Sequence, residues 1–248
     1  MKLSMKLFLA VFAVLLLVSG CAQKIKIKAL QPAEVEEMAT KKKIAISSFK
    51  NDYYGLSGKI ESQIAKHKLD QKRYFTVVSR KDLDKVMAEQ KLQSSELMDE
   101  TTATKVGKLI GAQAVINGEI ASASGESGTY KKDAKECLKY TKDGCAKWRF
   151  YKIICHTTQA SIAANINIVN VETGSIIYGD TLNKEYSADS CKPAGVFFGL
   201  GGSTKVLSKG QALNRLATAI ASEFVYKLTP NYIYFEVALL DEIELDNA

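Results

Sequence analysis

From Thr158 to Val171 the chain alternates. Ala160, Ile162, Ala164, Ile166 and Ile168 hold every second position, with polar or small residues between them. Successive side chains of a strand point to opposite faces, so the run predicts a long strand with one face to bury. Glu172-Thr173-Gly174-Ser175 is a turn, and Ile176 to Tyr186 returns as the second strand of an antiparallel hairpin. A two-stranded hairpin alone is marginal in water. The rest of the chain must therefore supply the strands and helices that cover it.

Upstream, those elements follow in order. Ile44-Ala45-Ile46-Ser47-Ser48-Phe49 predicts a strand, with the folded part starting at Lys43. Leu56, Ile60 and Ile64 recur at helical spacing and predict an amphipathic helix over 56–68. Tyr74 to Val78 is aromatic and β-branched, a second strand. Ser79 and Asp82 have the spacing of a capping box ahead of a helix whose face carries Leu83, Val86, Met87 and Gln90. A further helix over 102–110 points Ala103, Val106 and Ile110 inward and stops at Gly111. Ala114-Val115-Ile116 opens a third strand that runs to about Ser124. Strand, helix, strand, helix, helix, strand is a parallel-sheet order, so with the hairpin the class is α/β with a mixed sheet. Residues 189–207 are glycine-rich and loop-like. A C-terminal helix then lines up Leu213, Leu216, Ala217, Ile220, Phe224 and Leu228, and Pro230 ends it. Tyr232 to Leu240 predicts a last strand, and 241–248 is an acidic tail.

The N-terminus sets the compartment. Lys2 and Lys6 precede an unbroken apolar run from Leu7 to Val18. As a helix that run would span about 18 Å, too short for a bilayer but right for a signal peptide. It ends in Val18-Ser19-Gly20-Cys21, small residues before a cysteine, which resembles the lipobox of bacterial lipoproteins. The resemblance implies cleavage after residue 20 and a diacylglycerol thioether on Cys21. Ala22 rather than an aspartate follows, which favours the periplasmic face of the outer membrane as the destination. Residues 21–42 then read as the lipid anchor and tether, with Gln31-Pro32-Ala33-Glu34 breaking any regular element.

Outside the cytoplasm, an even cysteine count predicts disulfides. Cys137, Cys145, Cys155 and Cys191 are the candidates, and their three possible pairings stay open. No tight C-x-x-C pair is present, which argues against zinc. The formal charge of +7 falls to +5 without the two leader lysines. Lysines and acids are interspersed, with no basic stripe for nucleic acid. His67 and His156 lie far apart and have no neighbouring acid or nucleophile in sequence. Ser203 and Ser208 sit in no G-x-S-x-G elbow. Gly199 to Lys205 lacks the register of a phosphate loop. No cofactor, metal or enzymatic chemistry is expected.

Several segments in this order resemble the curli secretion-channel family (CsgG type). Lys43 to Phe49 matches the family's first strand. Arg73-Tyr74-Phe75-Thr76-Val77-Val78-Ser79-Arg80 with Leu83, Val86, Glu89-Gln90 and Leu92 matches its most specific block. Gly107-Lys108-Leu109-Ile110-Gly111-Ala112 and Gln113-Ala114-Val115-Ile116-Asn117-Gly118-Glu119-Ile120 follow, then Ile166 to Ile176. The resemblance covers roughly residues 43–186. It implies a three-layer α/β periplasmic domain over 43–240 on a lipid anchor, assembled with protein partners and as a homo-oligomeric ring. Arg80 and Gln90 are not required by a core, and in the family they are candidates for a subunit or partner contact.

Family channels insert strands from each subunit to build a barrel, and here those strands would fall near 125–158 and 184–208. A lipid-crossing strand needs about 9–11 residues with apolar side chains on alternate positions. Lys131-Lys132-Asp133 and Lys135-Glu136 put charge on both faces. A lysine or arginine facing lipid at mid-bilayer costs about 2–4 kcal/mol. The expectation is therefore a Cys-containing insertion, about 125–157, and a lipoprotein of export or envelope assembly that forms no pore alone. The alternatives are a secretion-pore subunit and a regulatory lipoprotein docking on a peptidoglycan synthase or a flagellar basal structure.

Overall fold

The computed structural model describes residues 24–78, 80–89, 99–192 and 206–238. It divides into two compact units, a domain over Pro32–Pro230 and a ribbon formed by the segments on either side of it.

In the domain, strand β2 (Lys43–Ile46) is followed by helix α1 (Leu56–Lys66) and a small antiparallel pair, β3 (Lys68–Leu69) and β4 (Lys72–Arg73). Strand β5 (Thr76–Val77), helix α2 (Arg80–Glu89) and helix α3 (Glu100–Ile110) come next. Three long strands follow, β6 (Ala114–Thr141), β7 (Gly144–Asn170) and β8 (Ile176–Lys192), and then helix α4 (Lys209–Leu228). The sheet order is β5-β2-β6-β7-β8. Strand β2 is parallel to both β5 and β6, while β6, β7 and β8 are antiparallel.

Two cores lie on opposite faces of that sheet. Ile44, Ile46, Ile116, Ile166 and Ile168 pack with Ile60 of α1 and with Leu213, Ile220 and Phe224 of α4. Ala45, Val115, Val169 and Val171 pack with Leu83 and Met87 of α2 and with Ala103 and Val106 of α3. Helix, sheet and helix make the three layers. The alternation from Thr158 to Val171 is the visible half of this arrangement, because each isoleucine is committed to the α1 and α4 side.

Local chemistry sets where the helices begin. The Asp52 carboxylate accepts from the Leu56 amide at 2.6 Å and the Ser57 amide at 3.0 Å, closing the free end of α1. Asp99 caps α3 through the Thr102 amide, a bond that lowers its pKa, and Gly111 ends the helix at φ +66°. Ser208 and Gln211 form a reciprocal capping box on α4. The Ser-x-x-Gln spacing is plain in the sequence, and it moves the start of α4 upstream of the first apolar position at Leu213. The last turn of α4 is tied down by Lys227, which donates to Glu34 at 2.8 Å and has its pKa raised by that bond.

The segment read as a tether holds regular structure. Strand β1 (Lys24–Gln31) precedes a 3-10 turn over Glu36–Thr40 that buries Met38 in the main core. Strand β1 pairs antiparallel with β9 (Asn231–Ala238), from Lys24↔Ala238 to Gln31↔Asn231. A pairing between segments some two hundred residues apart leaves no local periodic signal. Five alternating residues, three of them lysine, do not reveal it. The expected signal peptide, Cys21, Gln90, most of the glycine-rich segment and the acidic tail lie outside the described residues.

Gly118 is where a side chain cannot enter. A Cβ there would stand 2.4 Å from the Asn165 carbonyl oxygen and 2.9 Å from the Phe49 ring. Gly118→Ala is expected to destabilise the domain by about 1–3 kcal/mol, because backbone rather than a flexible side chain must move. Ser208→Ala is expected to cost about 1 kcal/mol through loss of the cap. Urea unfolding of both variants, followed by circular dichroism, checks the order.

Candidate functional site

The Cys-containing insertion takes the form of an arm. Pairing of β6 with β7 runs from Ala114↔Asn170 to Thr141↔Gly144, with register shifts between Ile120 and Ser122, Cys137 and Lys139, and Lys139 and Tyr140. At about 3.3 Å per residue, β6 alone is roughly 90 Å long. A two-residue loop, Lys142-Asp143, turns the tip. The strand expected to end near Ser124 thus continues to Thr141, and β8 continues past Tyr186 to Lys192. Neither extension has a buried apolar face, so periodicity could not reveal them.

The arm has two zones. From its root outward to the row Ile154↔Lys192 it is three-stranded. Beyond that row the described residues form a two-stranded ribbon, Lys132–Thr141 against Gly144–Ile153. Ten residues at about 3.3 Å make it roughly 33 Å long.

The disulfides mark the two zones. Cys155 and Cys191 face each other across β7 and β8 and are bonded. Cys137 and Cys145 are bonded near the tip, eight residues apart. Tyr130, opposite Cys155, donates its hydroxyl across β7 to Asp189 of β8, a bond that raises the tyrosine pKa. All three strands are thereby laced where the arm narrows.

Charge on the ribbon is paired in register. Glu136 sits opposite Arg149 and forms an ion pair with it. Asp133 sits opposite Lys152, with the charged atoms 3.7 Å apart. Positions 133 and 136 differ in parity, so these pairs lie on opposite faces. Lys135 lies 4.6 Å from the Trp148 ring centre. Opposite-charge cross-strand pairs contribute about 0.2–1 kcal/mol each, enough to hold a ribbon in register in water. Apolar side chains stand among them, with Phe150 75% exposed and Tyr140 78% exposed.

The other sequence candidates are dispersed. Arg80 opens α2, on the α2–α3 side of the sheet. His67 follows α1, with its ring edge-on to Tyr74 at 6.2 Å. His156 lies on the arm itself, one row inside Cys155–Cys191, in a cleft of about 400 Å³ with Ser127, Ser190 and Leu207. Ser127 is engaged there by the Thr158 hydroxyl at 2.8 Å. Among the described residues no group of three His, Cys, Asp or Glu side chains is placed to hold a metal ion. No described helix is long and apolar enough to cross a membrane.

An α/β domain of three layers that extends its sheet into a long arm is the class defined by this geometry. The chain belongs to the CsgG family, whose model, curli production assembly/transport component CsgG, matches residues 23–234. Membership gives the chain an envelope-associated role. No curated protein matches the chain significantly. Among solved structures it is similar to the LpoB C-terminal domain from Salmonella enterica, at 15% identity, covering 62% of this chain and 95% of that one, with a TM-score of 0.35. It is similar to the PelC dodecamer from Paraburkholderia phytofirmans at 11% identity, covering 84% and 98%, with a TM-score of 0.32. It is also similar to lipoprotein GNA1162 from Neisseria meningitidis at 14% identity, covering 74% and 98%, with a TM-score of 0.34.

The two disulfides are expected to behave differently. Cys155–Cys191 closes a chain separation of 36 residues. By loop entropy its removal in Cys191→Ser costs about 3–4 kcal/mol, read as a lower urea midpoint for the domain. Cys137→Ser is expected to leave that midpoint unchanged and to speed amide hydrogen exchange only over the tip.

Proposed function

We propose that the protein is an outer-membrane lipoprotein, acylated on Cys21, that acts in the export or assembly of cell-envelope or surface structures. It does so by contact rather than catalysis, presenting the β6–β7 arm to a protein partner, and it forms no pore alone. The observation that carries this reading is the arm itself, in a member of the CsgG family. Ion pairs on both faces suit water, and exposed Phe150 and Tyr140 among them suit a protein surface. Cys21 followed by Ala22 supports the anchor and its destination.

A second reading, a pore subunit in a homo-oligomeric ring, is favoured by one observation. Ten residues per strand beyond the three-stranded zone match the 9–11 needed to cross a bilayer. Against it stand Lys132, Asp133, Lys135, Glu136, Arg149 and Lys152 within those same residues. At about 2–4 kcal/mol for each lysine or arginine turned to lipid, a barrel wall of this composition is strongly disfavoured.

Planar-bilayer conductance of the purified lipidated protein, with its native mass measured in parallel, separates the two. No conductance is expected. Large, stable channels from a closed ring would overturn the charge argument and establish the pore. In cells, Cys21→Ser is expected to move the protein from washed membranes to the soluble periplasmic fraction, because stable anchoring depends on the acyl chains.

A further inference from the structure

The β1–β9 ribbon has two unlike faces. Its register places Ile25 opposite Val237, Ile27 opposite Phe235 and Ala29 opposite Ile233 on one face. On the other face Lys26 stands opposite Glu236 and Lys28 opposite Tyr234, with Lys24 beside them. Glu236 lies 3.9 Å from both Lys24 and Lys26, and the Lys28 ammonium lies 3.6 Å from the Tyr232 ring centre. The apolar face is open, with Ile25 47% and Phe235 44% exposed. A two-stranded ribbon is marginal in water by itself, and one with an open apolar face needs a cover.

Chain length identifies that cover. Lys24 is three residues from Cys21. Fully extended, three residues reach about 10 Å. An acyl group on Cys21 therefore holds the start of β1 within the headgroup layer, whatever else the chain does. There the ribbon meets an apolar interior on one side and phosphates on the other. Three lysines against one glutamate on the polar face suit an anionic leaflet.

We infer that the β1–β9 ribbon is a membrane-interface element, lying flat with Ile25, Ile27, Ile233, Phe235 and Val237 in the acyl boundary and Lys24, Lys26 and Lys28 among anionic phospholipid headgroups. This rests on the lipid anchor proposed above. The ribbon adds a second, weaker hold that by itself is reversible, so washed membranes still lose the unlipidated chain. It also joins the anchor to the far end of the sequence, since β9 enters the same interface.

The test uses the full mature chain with Trp148→Phe, carrying either Phe235→Trp on the apolar face or Tyr234→Trp on the lysine face. The lipidated protein is placed in phosphatidylethanolamine and phosphatidylglycerol vesicles with brominated acyl chains. Quenching of the Phe235→Trp probe is expected to be several-fold stronger than that of the Tyr234→Trp probe. In the unlipidated Cys21→Ser chain, adding Ile27→Ser is expected to weaken vesicle partitioning about tenfold, the loss of one buried aliphatic side chain. Intact mass reports acylation independently. An acylated protein whose two probes are equally unquenched overturns the ribbon proposal and leaves the anchor standing. A ribbon-dependent dimer with both probes unquenched overturns it in favour of a second copy. If the mass shows no acyl group, the anchor fails, and absence of vesicle binding by the same chain then overturns the ribbon as well.

Discussion

The pairing of β6 with β7 is the constraint on which the rest depends. Near its root, Ile116 faces Ile168 across the strands and both point into the α1–α4 core, while Val115 and Val169 point into the other. One register thus places the side chains of both helical layers, and a slip by a single residue would exchange the two cores. Strand β2 joins β6 through three parallel pairs, Ile44↔Ala114 to Ile46↔Ile116, at the same rows. The rows where the strands are most buried are therefore the ones that build the domain. Farther out, the same pairing persists on cross-strand charge and disulfides.

That division explains what the sequence revealed. Where burial is one-sided, as from Ala160 to Ile168, period-two alternation was legible and the strand followed directly. Where both faces are exposed, as from Lys131 to Lys152, charge falls on both faces and the stretch reads as a Cys-containing insertion rather than as two paired strands. The cysteine count pointed to disulfides, but pairing required the register that brings Cys155 to Cys191. The β1–β9 ribbon was the least legible element, because its two strands are separated by the whole domain. Gly107, Gly111 and Gly118 were visible as part of the family pattern. Their reason lies in packing: a Cβ on Gly107 would stand 2.4 Å from Val171, and Gly111 takes a left-handed conformation.

The candidate site was legible in composition but not in shape. Charges at 131–136 fall on both faces of β6 in the sequence as in the fold. They gave no hint that Glu136 meets Arg149 and Asp133 meets Lys152, each pair in its own row. In a sequence such charges look scattered, and only the hairpin turn at Lys142-Asp143 fixes which acid meets which base. Arg80 and Gln90 were singled out from the family resemblance. Arg80 opens α2 rather than a strand of the arm, and the arm's exposed aromatics, Phe150 and Tyr140, belong to no motif in the sequence.

The placement of the Cys155–Cys191 bond has a mechanical consequence. A pull on the arm's tip along its axis loads β6 and β7 together. Strand β6 hands its load to the body through its own backbone, which continues from α3, and β7 hands its load through the turn that leads to β8. The Cys155–Cys191 bond adds a covalent cross-link from β7 to β8 at the row where the arm narrows. A pull on β7 is therefore shared with β8 before it reaches the root, and the edge strand cannot be peeled away from β7 at that row.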